Sequence, residues 1–185
     1  MFGAVRPGDI KYMDMNGDGT VDERDRVEIG NSSPRLQYGI SLGVEYKRFN
    51  LTVLGIGYGK YNRLLSTQYY QIYGDRKYSR VVIDGLPNGN PHPKLSTRSI
   101  DNNFVNSDYW IINSAFFKLR NVELGYTLPR EISGKIGINQ AKLFARGYNL
   151  FTISKIEDLD PENLNAGIGN FPLCSTYTFG ISLAF

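Results

Sequence analysis

Cysteine and histidine are almost missing from this chain of 185 residues, which contains one of each. Cys174 alone cannot form an internal disulfide or a cysteine zinc cluster, and His92 alone cannot build a histidine-rich metal site. Because His92 stands between two prolines, we expect it in an exposed loop. Motifs for nucleotide phosphates, dinucleotides and zinc proteases are also missing. Catalysis therefore has little support, and we predict that the protein is not an enzyme.

Long apolar runs and blocks of one charge are missing as well. No stretch of about 18 apolar residues occurs, which excludes a transmembrane helix, and the first residues lack the apolar core of a signal peptide. The formal net charge is only +3, and Lys and Arg are scattered, so nucleic acid is not an expected partner. A membrane β-barrel is still allowed, because its strands need only about 9–11 residues that are apolar on one face.

Aromatic residues and glycine are abundant instead. The chain has 13 Tyr, 10 Phe and 20 Gly, and 41% of its residues are hydrophobic. Aromatic side chains pack well on pleated surfaces, and glycine serves turns and bends. The composition therefore favours an all-β protein of one domain or two small ones.

Several segments alternate between apolar and polar or small residues, with the period of two that is typical of β-strands. The stretch RLQYGISLGVEYKRF alternates long enough to cross a bilayer at a tilt, and FNLTVLGIGYGKYN follows as the returning strand of a hairpin. The pattern predicts an antiparallel meander in which neighbouring strands in sequence pair. The strands are expected near 36–47, 49–59, 111–127, 141–153 and 175–185.

Strict alternation divides the side chains of each predicted strand between two faces. For the strand over 111–127, one face is expected to carry Phe116, Lys118, Arg120, Val122, Leu124 and Tyr126. The last strand has an unbroken apolar face made of Tyr177, Phe179, Ile181, Leu183 and Phe185. Such a face is either the core of a soluble sandwich or the lipid-facing side of a barrel wall. A terminal Phe in phase with this face favours the barrel wall.

The stretch DMNGDGTVDERD places oxygen-bearing side chains at every second position. It fits the calcium pattern D-x-[DN]-x-[DN]-G with an acid at the twelfth position. The expected ligands are Asp14, Asn16, Asp18, the backbone carbonyl of Thr20, Asp22 through water, and Asp25. Because Asp25 is shorter than the usual Glu, we expect modest affinity. The alternative is a loop of Asx turns that hydrogen-bonds only to itself.

Residues 60–108 show no sustained period and are rich in Asn, Asp, Gly, Pro and Tyr. We interpret them as a long excursion between strands, with a possible short helix over Leu64–Tyr73. A loop of this length is usually functional or disordered.

Five segments of the chain carry a resemblance to a known family. In order, they are PGDIKYMDMNGDGTVDERDRVEIGNSSPRLQYGISL, YKRFNLTVLGIGYG, FFKLRNVELGYTLP, KLFARGYNLFTISKIEDLDPE and YTFGISLAF. Together they resemble the C-terminal β-barrel portion of a SusC/RagA-type TonB-dependent outer-membrane transporter. Barrels of this class need about 22 strands, whereas this chain has room for roughly six. The resemblance therefore implies a fragment of a large barrel with long loops. We expect residues 1–34 to form the calcium-type loop and lead-in, and residues 35–185 to form the last barrel strands with an excursion at 60–108.

The resemblance implies a location in a Gram-negative outer membrane and the import of a glycan or a peptide. The expected partners are outer-membrane lipid, a SusD-like surface lipoprotein that caps the barrel, and TonB, reached through the missing N-terminal part. Calcium would be a structural ion that pins a turn at the barrel rim. Phe185 would act as the signal that the barrel-assembly machinery reads.

Aromatic residues of the excursion and of the segment after it are candidates for substrate contact. Their rings would stack on sugar faces in a glycan importer. These residues are Tyr69, Tyr70, Tyr73, Tyr109 and Trp110. The alternative, which we favour, is that they belong to an interfacial girdle or to the packing of the loop.

A second function stays open at this point, namely a soluble, calcium-stabilised β domain that acts as a surface adhesin or carbohydrate-binding module. It explains the acidic loop and the strands equally well. It does not explain the ordered resemblance of five segments or the terminal Phe185.

Overall fold

The computed structural model describes residues 5–72, 79–95, 101–164, 171 and 173–185. Contacts divide the chain into two compact units. We call them the loop unit (Met1–Pro34, Lys60–Ser114 and Lys155–Phe171) and the sheet unit (Arg35–Gly59, Ala115–Ser154 and Pro172–Phe185). The boundary predicted at residue 34 for the domain organisation stays a prediction.

The described residues contain seven strands and two short α-helices. The strands are β1 (Leu36–Tyr46), β2 (Phe49–Gly59), β3 (Asn62–Leu64), β4 (Ile111–Asn113), β5 (Phe116–Thr127), β6 (Gln140–Ser154) and β7 (Thr176–Ala184). The helices are α1 (Val81–Asp84) and α2 (Arg130–Ser133). No helix among the described residues has the length and apolar character needed to span a membrane.

The sheet unit is one antiparallel sheet of five strands, in the order β1-β2-β5-β6-β7. Each of these five strands thus pairs with the one that precedes it in sequence, once the short strands β3 and β4, which form a separate sheet, are left out. A tight turn at Lys47, whose φ is 56°, joins β1 to β2. The all-β, antiparallel fold and the meander predicted from the alternation are confirmed.

The strand predicted over 111–127 is divided in two. Residues Ile111–Asn113 form β4, which pairs with β3 in a separate two-stranded sheet, and β5 begins only at Phe116. The prediction of one continuous strand was wrong because Ile111–Asn113 pair with β3 and not with β2. The hydrogen bond from the Ser114 N–H to the carbonyl of Tyr61 continues this β3–β4 pairing up to the break before β5.

A β-bulge in β5 changes which side chains share a face. Leu119 and Asn121 pair with the consecutive residues Gly55 and Leu54 of β2, so Arg120 between them is the extra residue. The predicted face that joined Phe116 to Tyr126 was therefore wrong. Phe117 and Leu119 instead share a face with the later residues Val122, Leu124 and Tyr126.

The loop unit has its own hydrophobic core, although its sequence shows no period. The core draws on all three segments of the unit and contains Ile10, Leu65, Tyr70, Ile72, Val81, Leu86, Trp110, Ile112, Ile156 and Leu164. Three 3-10 helices, Glu23–Asp25, Asp101–Phe104 and Asp108–Trp110, lie in the same unit. Residues 60–108 are therefore part of a packed unit wherever the structure describes them.

The helix expected over Leu64–Tyr73 is not formed in its described part. The segment leaves β3 at Leu64 and makes a single turn, in which the carbonyl of Thr67 accepts hydrogen bonds from the N–H groups of Tyr70 and Gln71. Tyr73 lies outside the described residues.

Candidate functional site

The five-stranded sheet has one apolar face. Residues that pair directly across antiparallel strands point to the same side of the sheet. The register therefore aligns Leu42, Val53 and Val122 in one row, and Val44, Leu51 and Leu124 in the next. Continued across β6 and β7, the same side carries Leu143, Ala145, Gly147, Phe151, Ile153, Tyr177, Phe179, Ile181 and Leu183.

Much of this apolar face is exposed. Phe179 keeps 80% of its surface accessible, and Phe185, just beyond β7 and in phase with it, keeps 84%. Leu42, Val44 and Tyr46 on β1 are exposed as well. A contiguous exposed apolar surface indicates a surrounding that is itself apolar, or a partner that covers it.

Two glycines of the GIGYG stretch lie directly against aromatic rings from neighbouring strands. Any side chain at Gly57 would collide with the ring of Tyr38, and any at Gly55 would collide with the ring of Phe117. These two rings lie nearly parallel, with an interplanar angle of 7° and centroids 6.3 Å apart. The glycine-rich part of β2 thus completes the apolar face with aromatic side chains from β1 and β5.

The opposite face of the sheet, which we call the polar face, carries charged side chains, among them a cluster of ion pairs, beside apolar residues such as Ile56 and Phe144. Glu123 on β5 accepts hydrogen bonds from Lys142 Nζ at 3.0 Å and from Arg146 Nη2 at 2.6 Å, both on β6. Thr52 pairs with Glu123 on the same side. On β7 this side carries Thr176, Thr178, Gly180, Ser182 and Ala184. The sheet is therefore amphipathic, with small and charged groups facing away from the apolar side.

Sequence reasoning missed the ion-pair cluster on the polar face. The sequence carried a signal, because Glu123, Lys142 and Arg146 are residues of opposite charge within two predicted neighbouring strands. Only the register shows that the three side chains meet.

The acidic loop is organised by hydrogen bonds from its own backbone. Asp14 accepts from the N–H of Gly17 at 2.6 Å and from that of Gly19 at 2.7 Å. Asp25 accepts from the N–H groups of Met15 and Asp22, each at 2.8 Å. Both glycines have φ near +80°, a region that non-glycine residues rarely adopt. The loop geometry thus has the features of the Asx-turn alternative.

Arg24 lies among the acidic side chains of this loop. Its Nη2 is 2.8 Å from carboxylate oxygens of both Asp18 and Asp22. The hydrogen bond from Arg24 holds the pKa of Asp22 below its usual value, and the bond from the Asp22 N–H lowers the pKa of Asp25. No three His, Cys, Asp or Glu side chains gather as a metal site would require in the ranges that the structure describes. The oxygen donors suit calcium, but the carboxylates of Asp18 and Asp22 form ion pairs with Arg24.

The candidate aromatic residues are divided between core and surface. Tyr70 and Trp110 have no exposed surface, and the indole N–H of Trp110 donates to the carbonyl of Asn103 at 2.9 Å. Tyr69 and Tyr109 are half-buried and pack against the same core. Burial raises the pKa of Tyr70 and of Tyr109. Tyr70 and Trp110 thus have no ring face open to a ligand here, which is what the loop-packing alternative predicts.

The flanking prolines suggested that His92 is an exposed loop residue, and this prediction was wrong. The residue is half-buried, and one ring nitrogen lies 2.7 Å from the carbonyl of Pro93 and the other 2.9 Å from that of Tyr70. Its ring contacts Trp110 edge-on, with centroids 6.2 Å apart. The prediction failed because the two prolines shape a segment that packs on the core of the loop unit.

Comparison with curated proteins finds relatives over nearly the full chain. TonB-dependent receptor P3 of Formosa agariphila is 24% identical over 202 residues, covering 100% of this chain and 20% of that receptor. TonB-dependent receptor SusC of Bacteroides thetaiotaomicron is 26% identical over 190 residues, covering 97% of this chain and 18% of SusC. The resemblance to SusC-type TonB-dependent receptors is confirmed. No family model matches the chain.

Solved structures show the same fold. A chain of the RagAB peptide importer in its open-open state matches with a TM-score of 0.63 and 19% identity, covering 96% of this chain and 20% of that one. The closed-closed state matches with a TM-score of 0.64 and 22% identity, over 91% of this chain and 20% of that one. The chain thus spans about a fifth of the length of the TonB-dependent receptors it matches.

Proposed function

We propose that this chain forms part of the barrel wall of an outer-membrane transporter of the TonB-dependent class. The observation that carries the proposal is the amphipathic sheet, with an exposed apolar face on one side and the Glu123 ion pairs on the other. In a membrane barrel the apolar side faces lipid and the polar side faces the lumen. The relatives named as TonB-dependent receptors support the same assignment.

The whole protein, in this proposal, imports a nutrient of the glycan or peptide class and is not an enzyme. TonB supplies the energy, and a SusD-type surface lipoprotein is the partner at the outer side. The name RagAB peptide importer, given to a structural neighbour, supports the peptide class, and the likeness to SusC supports the same type of receptor.

A gene deletion tests the transport proposal. The strain that lacks the full-length protein is grown on single glycans and on peptides as the carbon or nitrogen source, beside the complemented strain and a strain without TonB. We expect a growth defect on one nutrient class, and the same defect without TonB. Normal growth on every nutrient, together with recovery of the protein outside the outer-membrane fraction, would contradict the proposal.

Phe185 is proposed to act in assembly of the barrel. Its ring is in phase with Leu183 and Ile181 and is highly exposed, which suits the aromatic girdle at the edge of an apolar band. In the full-length protein, deletion of Phe185 or the substitution Phe185→Asp should reduce folded, heat-modifiable protein in outer-membrane fractions. Binding of nutrient per folded molecule should stay close to that of the unmodified protein. Normal assembly with lost binding would instead place Phe185 in a ligand site.

Calcium is proposed as a structural ion of the acidic loop. The support is the alternate spacing of Asp14, Asn16 and Asp18, whose side chains carry the oxygen donors that calcium prefers. Binding would require the guanidinium of Arg24 to release Asp18 and Asp22. Arg24 and calcium are therefore competitors in this proposal.

Calorimetry on the full-length protein tests this competition. Calcium should bind with modest affinity, and Arg24→Gln should tighten binding by about two- to fivefold, since exposed ion pairs are individually weak. Arg26→Gln is the matched control, because Arg26 pairs with Glu23 rather than with an expected ligand. Absence of calcium heat in both the unmodified protein and the Arg24 variant would refute the proposal.

A further inference from the structure

A cavity of about 460 Å³ opens on the loop unit and has one ionisable group in its lining, Arg63. The backbone N–H of Asn62 donates to the carbonyl of Asn31 at 2.7 Å, which fastens the two sides of the cavity together. Ser32 and Ser66, which also line it, are exposed, so the cavity is open to solvent. Its volume lies in the range of small-ligand sites, about 300–1,000 Å³.

Arg63 carries a positive charge that no described residue neutralises. Its side chain is half-buried, and none of the lining residues is acidic. The guanidinium lies 5.7 Å from the ring centroid of Tyr61, a contact that holds its position while leaving its charge in place. The Nε atom is enclosed and has no hydrogen-bond partner within the described part of the chain. Enclosed polar atoms in proteins are normally hydrogen-bonded, so an unsatisfied Nε on a charged group points to a missing anion.

The rest of the lining suits a sugar. Asn31, Ser32, Asn62 and Ser66 provide amide and hydroxyl groups, which both donate and accept hydrogen bonds. Sugar hydroxyls have the same dual character. Leu64 and Ile111 add apolar surface of the kind that packs against the C–H groups of a sugar ring.

We infer that this cavity is a binding site for an acidic sugar, in which Arg63 pairs with the carboxylate of a uronic-acid unit. The planar guanidinium is suited to a carboxylate, because its N–H groups match the two carboxylate oxygens in a fork. The inference rests on the proposed import function, since it names the substrate class of that function. It does not require transport to be observed, because binding is measured on the purified protein.

Matched ligands give the sharpest test. Trigalacturonate and its fully methyl-esterified form differ in the charge of the carboxyl groups, and both are titrated into the detergent-purified full-length protein. The acid should bind at least tenfold more tightly than the ester, because hydrogen bonds to charged groups are the stronger ones. Equal affinity for the two ligands would overturn the inference. A glutamate-rich peptide of equal charge that binds as tightly as the acid would overturn the sugar part of it.

Variants locate the effect at the cavity. Arg63→Gln should weaken binding of the acid by roughly ten- to hundredfold and leave binding of the ester unchanged, while Arg63→Lys should fall between Gln and Arg because it keeps the charge without the fork. Ser66→Phe places a ring in the cavity at an exposed position, so it should abolish binding of both ligands. This variant keeps the inference testable if Arg63→Gln does not fold.

Arg80→Gln is the charge control for these variants, because Arg80 is exposed, pairs with Asp84 and lies outside the cavity. It should leave the affinity unchanged. An equal loss of affinity in the Arg80 and Arg63 variants would show a general effect of charge, and it would overturn the assignment of binding to this cavity. A strain that shows no uptake, while the purified protein still prefers the acid in an Arg63-dependent way, would refute the transport proposal and keep the site.

Discussion

The loop unit and the sheet unit use their apolar residues in opposite ways. The loop unit buries them: Trp110, Tyr70 and Leu65 have no exposed surface. The sheet unit displays them, and Phe179 and Ile181 keep most of their surface accessible. The loop unit thus has a core stabilised by the hydrophobic effect. The sheet unit in the same chain has an apolar side that suits an apolar surrounding. Mean hydropathy over the whole chain, −0.32, hides this division.

The largest expected effect comes from removing the central aromatic residue of the loop unit. Trp110→Ala removes a fully buried indole and its hydrogen bond to Asn103, and should destabilise the loop unit by about 3–5 kcal/mol. Limited proteolysis of the full-length protein should show rapid cleavage within residues 60–114, while heat modifiability of the barrel is retained. The half-buried neighbour Tyr109, replaced by Ala, is the control and should show a smaller change. Equal protection of both variants would contradict a packed core in this unit.

A charge on the apolar side of the sheet gives the next largest effect. Val53→Arg places a guanidinium beside Leu42 and Val122, and should cost about 2–4 kcal/mol if the position lies at the bilayer midplane. The neighbouring substitution Thr52→Arg points to the other side, next to Glu123, and should be tolerated. The measurement is the amount of folded protein in outer-membrane fractions. Poor assembly of the Thr52 variant with normal assembly of the Val53 variant would show that the lipid-facing and lumen-facing sides are assigned the wrong way round.

The smallest expected effect is a pH response confined to the acidic loop. Hydrogen bonds from backbone N–H groups lower the pKa of Asp25 below its ordinary value of 3.8. Its contribution to stability is therefore fully present above about pH 4 and is lost as the pH falls through the lowered pKa. The protection factors for amide hydrogen exchange at Met15 and Asn16, whose N–H groups donate to Asp25, should fall over that range.

The substitution Asp25→Asn supplies the control for the pH response. It removes the titrating group, so the protection factor at Met15 should be lower at neutral pH and should no longer fall steeply below about pH 4. Strand β7 contains no acidic side chain, so its amides should not respond in this way. Unchanged protection of the loop amides at low pH would mean that the Asp25 carboxylate does not hold the loop in its conformation.

Most of the sheet could be predicted from the sequence because its residues alternate with period two. The bounds of β1, β2, β6 and β7 were each predicted to within one residue. The faces of β5 were not, because the bulge at Arg120 inserts a residue that only the pairing with β2 reveals. Alternation describes a strand by itself, whereas a bulge is a property of two strands together.

The core of the loop unit could not be predicted in the same way. Its residues come from three separate segments, and partners such as Ile10 and Trp110 have no periodic relation in sequence. The cavity residue Arg63 was missed for a related reason: its environment combines residues 29–32 with 62–66 and 111. Asparagine side chains also fasten this unit, as when Asn88 donates to the carbonyls of Tyr109 and Ile111. Such contacts between distant segments leave no local pattern.

The interleaving of the three core segments also sets the order in which the chain can fold. Ile10 packs in the same core as Ile156 and Leu164, so that core cannot close until the segment from Ile10 to Leu164 is present. Contacts between residues so far apart in sequence form slowly, because a long loop must close before they are made. Hairpins such as β1–β2 join adjacent residues and form much earlier. The core of the loop unit therefore closes later than such hairpins, and until it does its apolar residues are open to non-native contacts.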